Sequence, residues 1–198
     1  MTDVDSSRDR ILTAAREAFA AVGFAGARVD GIARAAGCNK QLIYHYFGDK
    51  AGLYEAVVRD VLKAPPPMGA LTREGLAEQL ARLPEEELPR RREWLRMMTW
   101  EALTGGPEAV VAEDLRREHM CTAVTQVEAA QAAGAIDPGI RPRFLLLALM
   151  SLCMFPYILP QLARMLTGLS PDDAEFRKQH AAMLREVARR LAPPTKPG

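Results

Sequence analysis

The stretch Val29-Asp30-Gly31-Ile32-Ala33-Arg34-Ala35-Ala36-Gly37-Cys38-Asn39-Lys40-Gln41-Leu42-Ile43-Tyr44-His45-Tyr46-Phe47 decides the fold. Ile32, Ala33 and Ala36 fall on one face at helical spacing, which predicts a short helix from about Val29 to Ala36. Gly37 follows where the chain must turn with positive φ. A further helix spans about Asn39 to Tyr46. Where the two must approach, at Ile32, Ala33, Ala36, Cys38 and Ile43, every side chain is small or apolar. Asn39, Lys40, Gln41, Tyr44 and His45 are left pointing outward, all hydrogen-bonding types suited to phosphates and base edges. Two short helices joined by a glycine-containing turn are the geometry that places the second helix in a DNA major groove.

The flanks complete such a unit. Ile11, Ala15, Ala18, Phe19 and Val22 recur at helical spacing after the polar Asp5-Ser6-Ser7, with Gly23 as a stop, giving a first helix that packs over the other two. Asp49 caps a fourth helix with the stripe Leu53, Tyr54, Val57, Val58 and Val61, ended by Pro65-Pro66-Pro67. Lys50 at its start, and Arg28 before the second helix, put cations where backbone phosphates can meet helix N-termini.

Farther along the pattern stays helical. Segments are predicted over Leu71 to Leu83, from Pro89 to Gly105-Gly106, from Pro107 to about Ala133, and from Arg141 to Ile158 with a kink or break near Pro156. A last helix opens at Ser170-Pro171-Asp172-Asp173 and carries Phe176, His180, Met183, Leu184, Val187 and Leu191. No sustained period-two alternation and no Asn-Gly or Asp-Gly hairpin occurs, so the fold class is all-α. The expected organisation is a three-helix helix-turn-helix domain over 1–48 and a larger helical domain over 49–192. The segment 49–63 is the linking helix, and 193–198 a flexible tail.

Composition narrows the function. The 198 residues are 48% hydrophobic and 26% charged with net charge +1, which argues against coating nucleic acid by bulk attraction. The positive charge is local instead, with Arg28, Arg34, Lys40 and Lys50 set against Asp30 and Asp49. Met1 to Arg10 is polar and lacks the apolar stretch of a secretory signal, so a cytoplasmic location is expected. Cys38, Cys121 and Cys153 form no C-x-x-C pair and read as small core residues. The three histidines are scattered, and no Walker loop, G-x-S-x-G elbow, H-E-x-x-H or Rossmann fingerprint occurs; neither an enzyme, a metal nor a cofactor is expected. Between Arg143 and Arg164 no residue is charged, long enough to raise a membrane span. Ser151, Pro156, Pro160 and Gln161 interrupt it, and its strongly apolar part, Phe144 to Phe155, is short, so it reads as a buried helix.

The chain resembles the TetR family of bacterial transcriptional regulators through Ile11-x-x-Ala14-Ala15-x-x-x-Phe19, Gly23-Phe24, Val29-Asp30-x-Ile32-Ala33-x-x-Ala36-Gly37 and Leu42-Ile43-Tyr44-His45-Tyr46-Phe47-x-x-Lys50-x-x-Leu53. The resemblance implies an all-α homodimer whose first three helices bind double-stranded operator DNA. A fourth would join them to a ligand-sensing domain, and the last two long helices would pair with their twins. Family DNA contacts fall on Lys40, Gln41, Tyr44, His45 and Lys50, with Asn39 and Arg28 beside them. Gly48-Asp49 departs from the proline-serine frequent in the family, and Arg28 stands where threonine is common. Repression is the family's usual mode.

A ligand-responsive reader needs a second site with unequal affinity for two conformations. Trp94, Met97, Met98, Trp100, His119, Met120, Met154, Phe155 and Tyr157 are the pocket candidates. Methionine and aromatic side chains line adaptable apolar pockets, although any one of them more often fills an ordinary core. An apolar or aromatic effector is the matching partner. Leu149 and Cys153 on the apolar helix, with Phe176, His180, Met183, Leu184 and Val187 on the last, are the expected dimer face. The competing reading is a helical small-molecule-binding or interaction protein that does not read DNA specifically.

Overall fold

The helical period translates into nine helices among the described residues of the computed structural model, which are 3–63, 75, 77, 78, 88–105 and 110–191. They are α1 (Asp3–Gly26), α2 (Val29–Ala35), α3 (Lys40–Phe47), α4 (Lys50–Leu62), α5 (Leu88–Gly105), α6 (Glu113–Ala132), α7 (Pro142–Ile158), α8 (Pro160–Thr167) and α9 (Ala174–Arg190). No strand occurs among the described residues. Most of the helix expected over Leu71 to Leu83, the Pro65-Pro66-Pro67 terminator, the start at Pro107 and the tail 193–198 lie outside the described residues.

The chain divides into two compact units, residues 1–65 with 89–116 and residues 66–88 with 117–198. This division differs from the expected one after residue 48. The reason is burial: Met97 of α5 is fully enclosed in the same core as Ile11, Phe19, Ile32, Ile43, Leu53, Val57 and Val58. In this first unit α1 packs on α2 and α4, and α3 packs on the same two helices. Phe19 meets Tyr54 edge-on at 4.9 Å, and Arg16 Nε donates to Glu93 of α5 at 2.5 Å. Gly23, the expected stop, interrupts α1 with φ 71 and ψ 176.

The second unit encloses Val127, Ile136, Leu145, Leu149, Cys153, Leu184 and Ala188. A backbone bond ties the turn after α6 to the end of α9, Asp137 N–H donating to the Leu191 carbonyl at 2.8 Å. Three expectations change here. Ser170 to Asp173 forms a turn rather than the first turn of α9: Asp173 Oδ2 accepts from Ser170 N–H at 2.8 Å and Ser170 Oγ accepts from Asp172 N–H at 3.3 Å. These side chains satisfy their own loop, and α9 begins at Ala174. The long helix α6 starts at Glu113, after Ala112 with φ 54. Finally, α7 runs through Pro156 and breaks at Leu159, whose φ −122 and ψ 65 are non-helical. The residue before a proline is steered away from the α region, and Pro160 then opens α8.

Among the described residues no single helix is long and apolar enough to cross a membrane; α7 and α8 satisfy the length only together, and they meet at 90°. The residues expected at the dimer face divide by burial. Leu149, Cys153, Phe176, His180 and Leu184 are buried within their own unit, whereas Met183 is exposed and Val187 half-buried. The open side of α7 is instead the stripe Phe144, Leu147, Phe155 and Ile158, with Phe144 and Leu147 58% and 60% exposed. Because α7 is apolar all round, its hydrophobic pattern could not distinguish the inward side from the outward one.

Candidate nucleic-acid interface

The turn between α2 and α3 is closed by two backbone bonds, Cys38 N–H to the Ala33 carbonyl at 3.0 Å and Gly37 N–H to the Arg34 carbonyl at 3.2 Å. Gly37 takes φ 65, the left-handed geometry that this helix end requires. Asn39 caps α3, its Oδ1 accepting from Leu42 N–H at 2.8 Å. Ile43 is fully buried, and Leu42, Tyr46 and Phe47 pack on the core, which fixes the rotation of α3. The opposite face therefore carries Lys40, Gln41, Tyr44 and His45 together, all exposed. Arg28, exposed at the N-cap position of α2, makes no side-chain cap bond.

The cations on this face are less independent than their sequence positions imply. Lys40 Nζ pairs with Asp30 Oδ1 at 3.1 Å and lies 5.7 Å from the centre of the Tyr44 ring. The Asp30 hydrogen bond and charge, aided by Tyr44, hold the ammonium above the usual lysine range. Lys50 Nζ lies 4.7 Å from the centre of the Phe24 ring and donates to the Ala25 carbonyl at 3.4 Å, tethering the start of α4 to the end of α1. Arg10 Nε donates to the Ala36 carbonyl at 3.3 Å, and the Arg8 guanidinium sits 5.7 Å from the Phe47 ring centre. Sequence reading counted Asp30 in the local charge balance but missed its pairing, since ten positions and a turn separate it from Lys40.

This pairing predicts that Asp30→Asn releases Lys40 for phosphate. Affinity for random-sequence duplex should rise several-fold, and the slope of log K against log salt should steepen by about 0.9, the value for one added phosphate contact. Fluorescence anisotropy across a salt series measures both, and an unchanged slope would show that Lys40 already reaches phosphate with Asp30 in place.

The pocket candidates fall in both units. In the first, Met97 is wholly buried in the core, Met98 is half-buried, the Trp100 ring lies against Gly23, and Trp94 lies beneath the Arg116 guanidinium at 4.6 Å. In the second, His119 and Met154 are half-buried, Met120 and Phe155 are exposed, and the Tyr157 ring lies 6.1 Å from His180. Sequence reasoning also missed a half-buried polar cluster in the first unit. Arg116 forks onto Glu101 with bonds of 2.8 and 3.1 Å, beside the Tyr54 phenol. Burial, then the Glu101 charge, pushes that phenol well above its ordinary range.

Comparison with known proteins bears on the whole chain. Residues 11–57 match the bacterial regulatory proteins of the tetR family, and residues 81–190 match the tetracyclin repressor-like C-terminal domain. The HTH-type transcriptional repressor SCO4008 of Streptomyces coelicolor is 33% identical over 169 residues, 84% of this chain and 86% of that protein. The HTH-type transcriptional repressor NicS of Pseudomonas putida is 31% identical over 160 residues, 76% of each chain. The crystal structure of SCO4942, assigned as a transcriptional regulator of Streptomyces coelicolor, superposes with a TM-score of 0.76 at 27% identity, covering 96% of this chain and 99% of that one. With a helix-turn-helix head and a helical C-terminal region each matched by its own family domain, the chain belongs to the TetR family of bacterial regulatory proteins.

Proposed function

We propose that this protein is a ligand-responsive transcriptional repressor, located in the cytoplasm, that binds a palindromic operator as a homodimer and is released by a small apolar or aromatic effector. The observation that carries the reading is the exposed face of α3, where Lys40, Gln41, Tyr44 and His45 stand together on a helix held by the buried Ile43. Arg28 and Lys50 extend it as phosphate contacts, and Asn39 serves it by capping. The relatives' printed role as repressors supports the same direction of control. In the second unit the effector candidates with an open or half-open side chain, apart from the α7 stripe, are His119, Met120, Met154 and Tyr157.

The test is binding to the DNA upstream of the protein's own gene and its neighbours, followed by a salt series. Tyr44→Ala and Gln41→Ala should each weaken the specific complex by roughly tenfold to a hundredfold, the range for a lost phosphate or base-edge contact, while leaving the melting temperature unchanged. Variants that bind every duplex as the parent does would remove α3 from the interface.

The dimer face in this reading is the open stripe of α7, Phe144, Leu147, Phe155 and Ile158, joined by Met183 of α9. An apolar row of this kind is normally covered. Leu147→Glu should yield a folded monomer in sedimentation velocity and lower operator affinity, because half-sites spaced on one face of the duplex need two linked heads. An intact dimer would move the interface to another surface.

A further inference from the structure

Pro156 lies inside α7, yet the helix continues to Ile158. A proline in a helix lacks the amide hydrogen and presses its ring toward the carbonyl four residues earlier, here that of Leu152. It also disfavours helical backbone at the residue before it, here Phe155. The Leu152 carbonyl has a substitute partner from another helix: Nε2 of His180, on α9, lies 3.0 Å from it. A carbonyl can only accept, so Nε2 carries the proton, and a neutral ring then holds Nδ1 as a bare lone pair. His180 is 6% exposed, its Nδ1 is buried without a hydrogen-bond partner among the described residues, and the Phe176 and Tyr157 rings flank it at 5.5 and 6.1 Å. Burial pushes the imidazole below its usual range, against the smaller opposing effect of the Leu152 carbonyl.

We propose that His180 is a positioning residue that donates, from α9, the hydrogen bond residue 156 cannot make, and so holds the last turn of α7 in helical register. That turn carries Phe155 and Ile158 on the open stripe. Without the donor, an orphaned carbonyl and a proline-disfavoured Phe155 would together favour ending the helix a turn earlier, and the stripe would lose its lower half. The consequence for self-association rests on the dimer reading above; the exchange of donors does not.

A cycle of four proteins tests it: the parent, His180→Leu, Pro156→Ala, and both together. His180→Leu should shift the folding equilibrium by roughly tenfold to a hundredfold, as expected when a buried carbonyl loses its partner, and should weaken self-association in sedimentation velocity. With alanine at 156 its amide can meet the Leu152 carbonyl, so the same histidine substitution should then cost much less. An equal cost in both backgrounds overturns the proposal. If His180→Leu does not fold, long-range proton–nitrogen spectra of the parent decide the matter. A protonated Nε2 with a bare Nδ1 at neutral pH supports the proposal, and the opposite tautomer overturns it. A parent that sediments as a monomer would remove the dimer reading alone, since the folding cycle still decides the role of His180.

Discussion

Gly52→Ala is expected to disable the DNA-reading head while leaving the chain otherwise helical. Gly52 sits in the first turn of α4, its N–H donating to the capping Asp49 Oδ1 at 2.8 Å. A Cβ added there would lie 2.2 Å from the Phe47 carbonyl oxygen. That oxygen already accepts from Asp49 N–H at 2.9 Å, across Gly48 at φ 78 and ψ −65, a tight γ-turn whose positive φ suits glycine. The Cβ is fixed by the α4 backbone and its partner is a backbone carbonyl, so no side-chain rotation relieves the clash and α3 and α4 must move apart. Overpacking of this kind costs about 1–3 kcal/mol or more. In the proposed reading, where the exposed face of α3 enters the groove, its displacement should also lower duplex affinity by about tenfold or more. Gly31, with nothing within 4 Å of an added Cβ, is the internal control. Gly31→Ala should raise stability by about 0.5–1 kcal/mol, the ordinary gain for an open helical site. Urea titrations and anisotropy on the two variants give the comparison; a Gly52→Ala protein that melts and binds like the parent would disprove the close approach.

The second large effect is expected at Arg116. Its guanidinium forks onto Glu101 and stacks over Trp94, with side-chain exposures of only 16% and 13% for the ion pair. Arg116→Leu leaves the half-buried carboxylate without its ion-pair partner, which should cost about 3 kcal/mol, the low end of the range for a fully enclosed pair. The cost comes from the stranded charge more than from the lost attraction, since buried pairs replaced by apolar groups are often neutral in stability. Adding Glu101→Gln to Arg116→Leu should therefore recover most of the loss, leaving the double variant more stable than the single one. Denaturation of the four proteins measures the coupling directly. A double variant that loses the sum of both single effects would mean that the pair acts through packing on Trp94 rather than through charge.

Much of the reading head was legible because its determinants are local. The spacing of Ile32, Ala33, Ala36 and Ile43, the turn at Gly37 and the capping residues Asn39 and Asp49 all act within a few residues of themselves. The structure places them as the spacing requires. The corrections arose where local signals compete. Ser170-Pro171-Asp172-Asp173 reads as a cap, but its side chains close a turn before α9 begins. Pro156 reads as a break, but a donor from another helix compensates for it, and the break moves to the residue before Pro160.

By itself the sequence determined the all-helical class, the helix-turn-helix and the outward set Lys40, Gln41, Tyr44 and His45. Helical period, caps and turns depend on short-range sterics and hydrogen bonds, which neighbouring residues largely settle. Only the tertiary structure decided that α5 shares a core with the reading head, that Lys40 is held by Asp30, and that Glu101 and Arg116 form one half-buried pair. It also decided which side of the wholly apolar α7 is buried and which carries the open stripe. Those outcomes depend on residues far apart in the chain competing for the same buried volume and the same hydrogen-bonding groups, a competition that short-range patterning does not record.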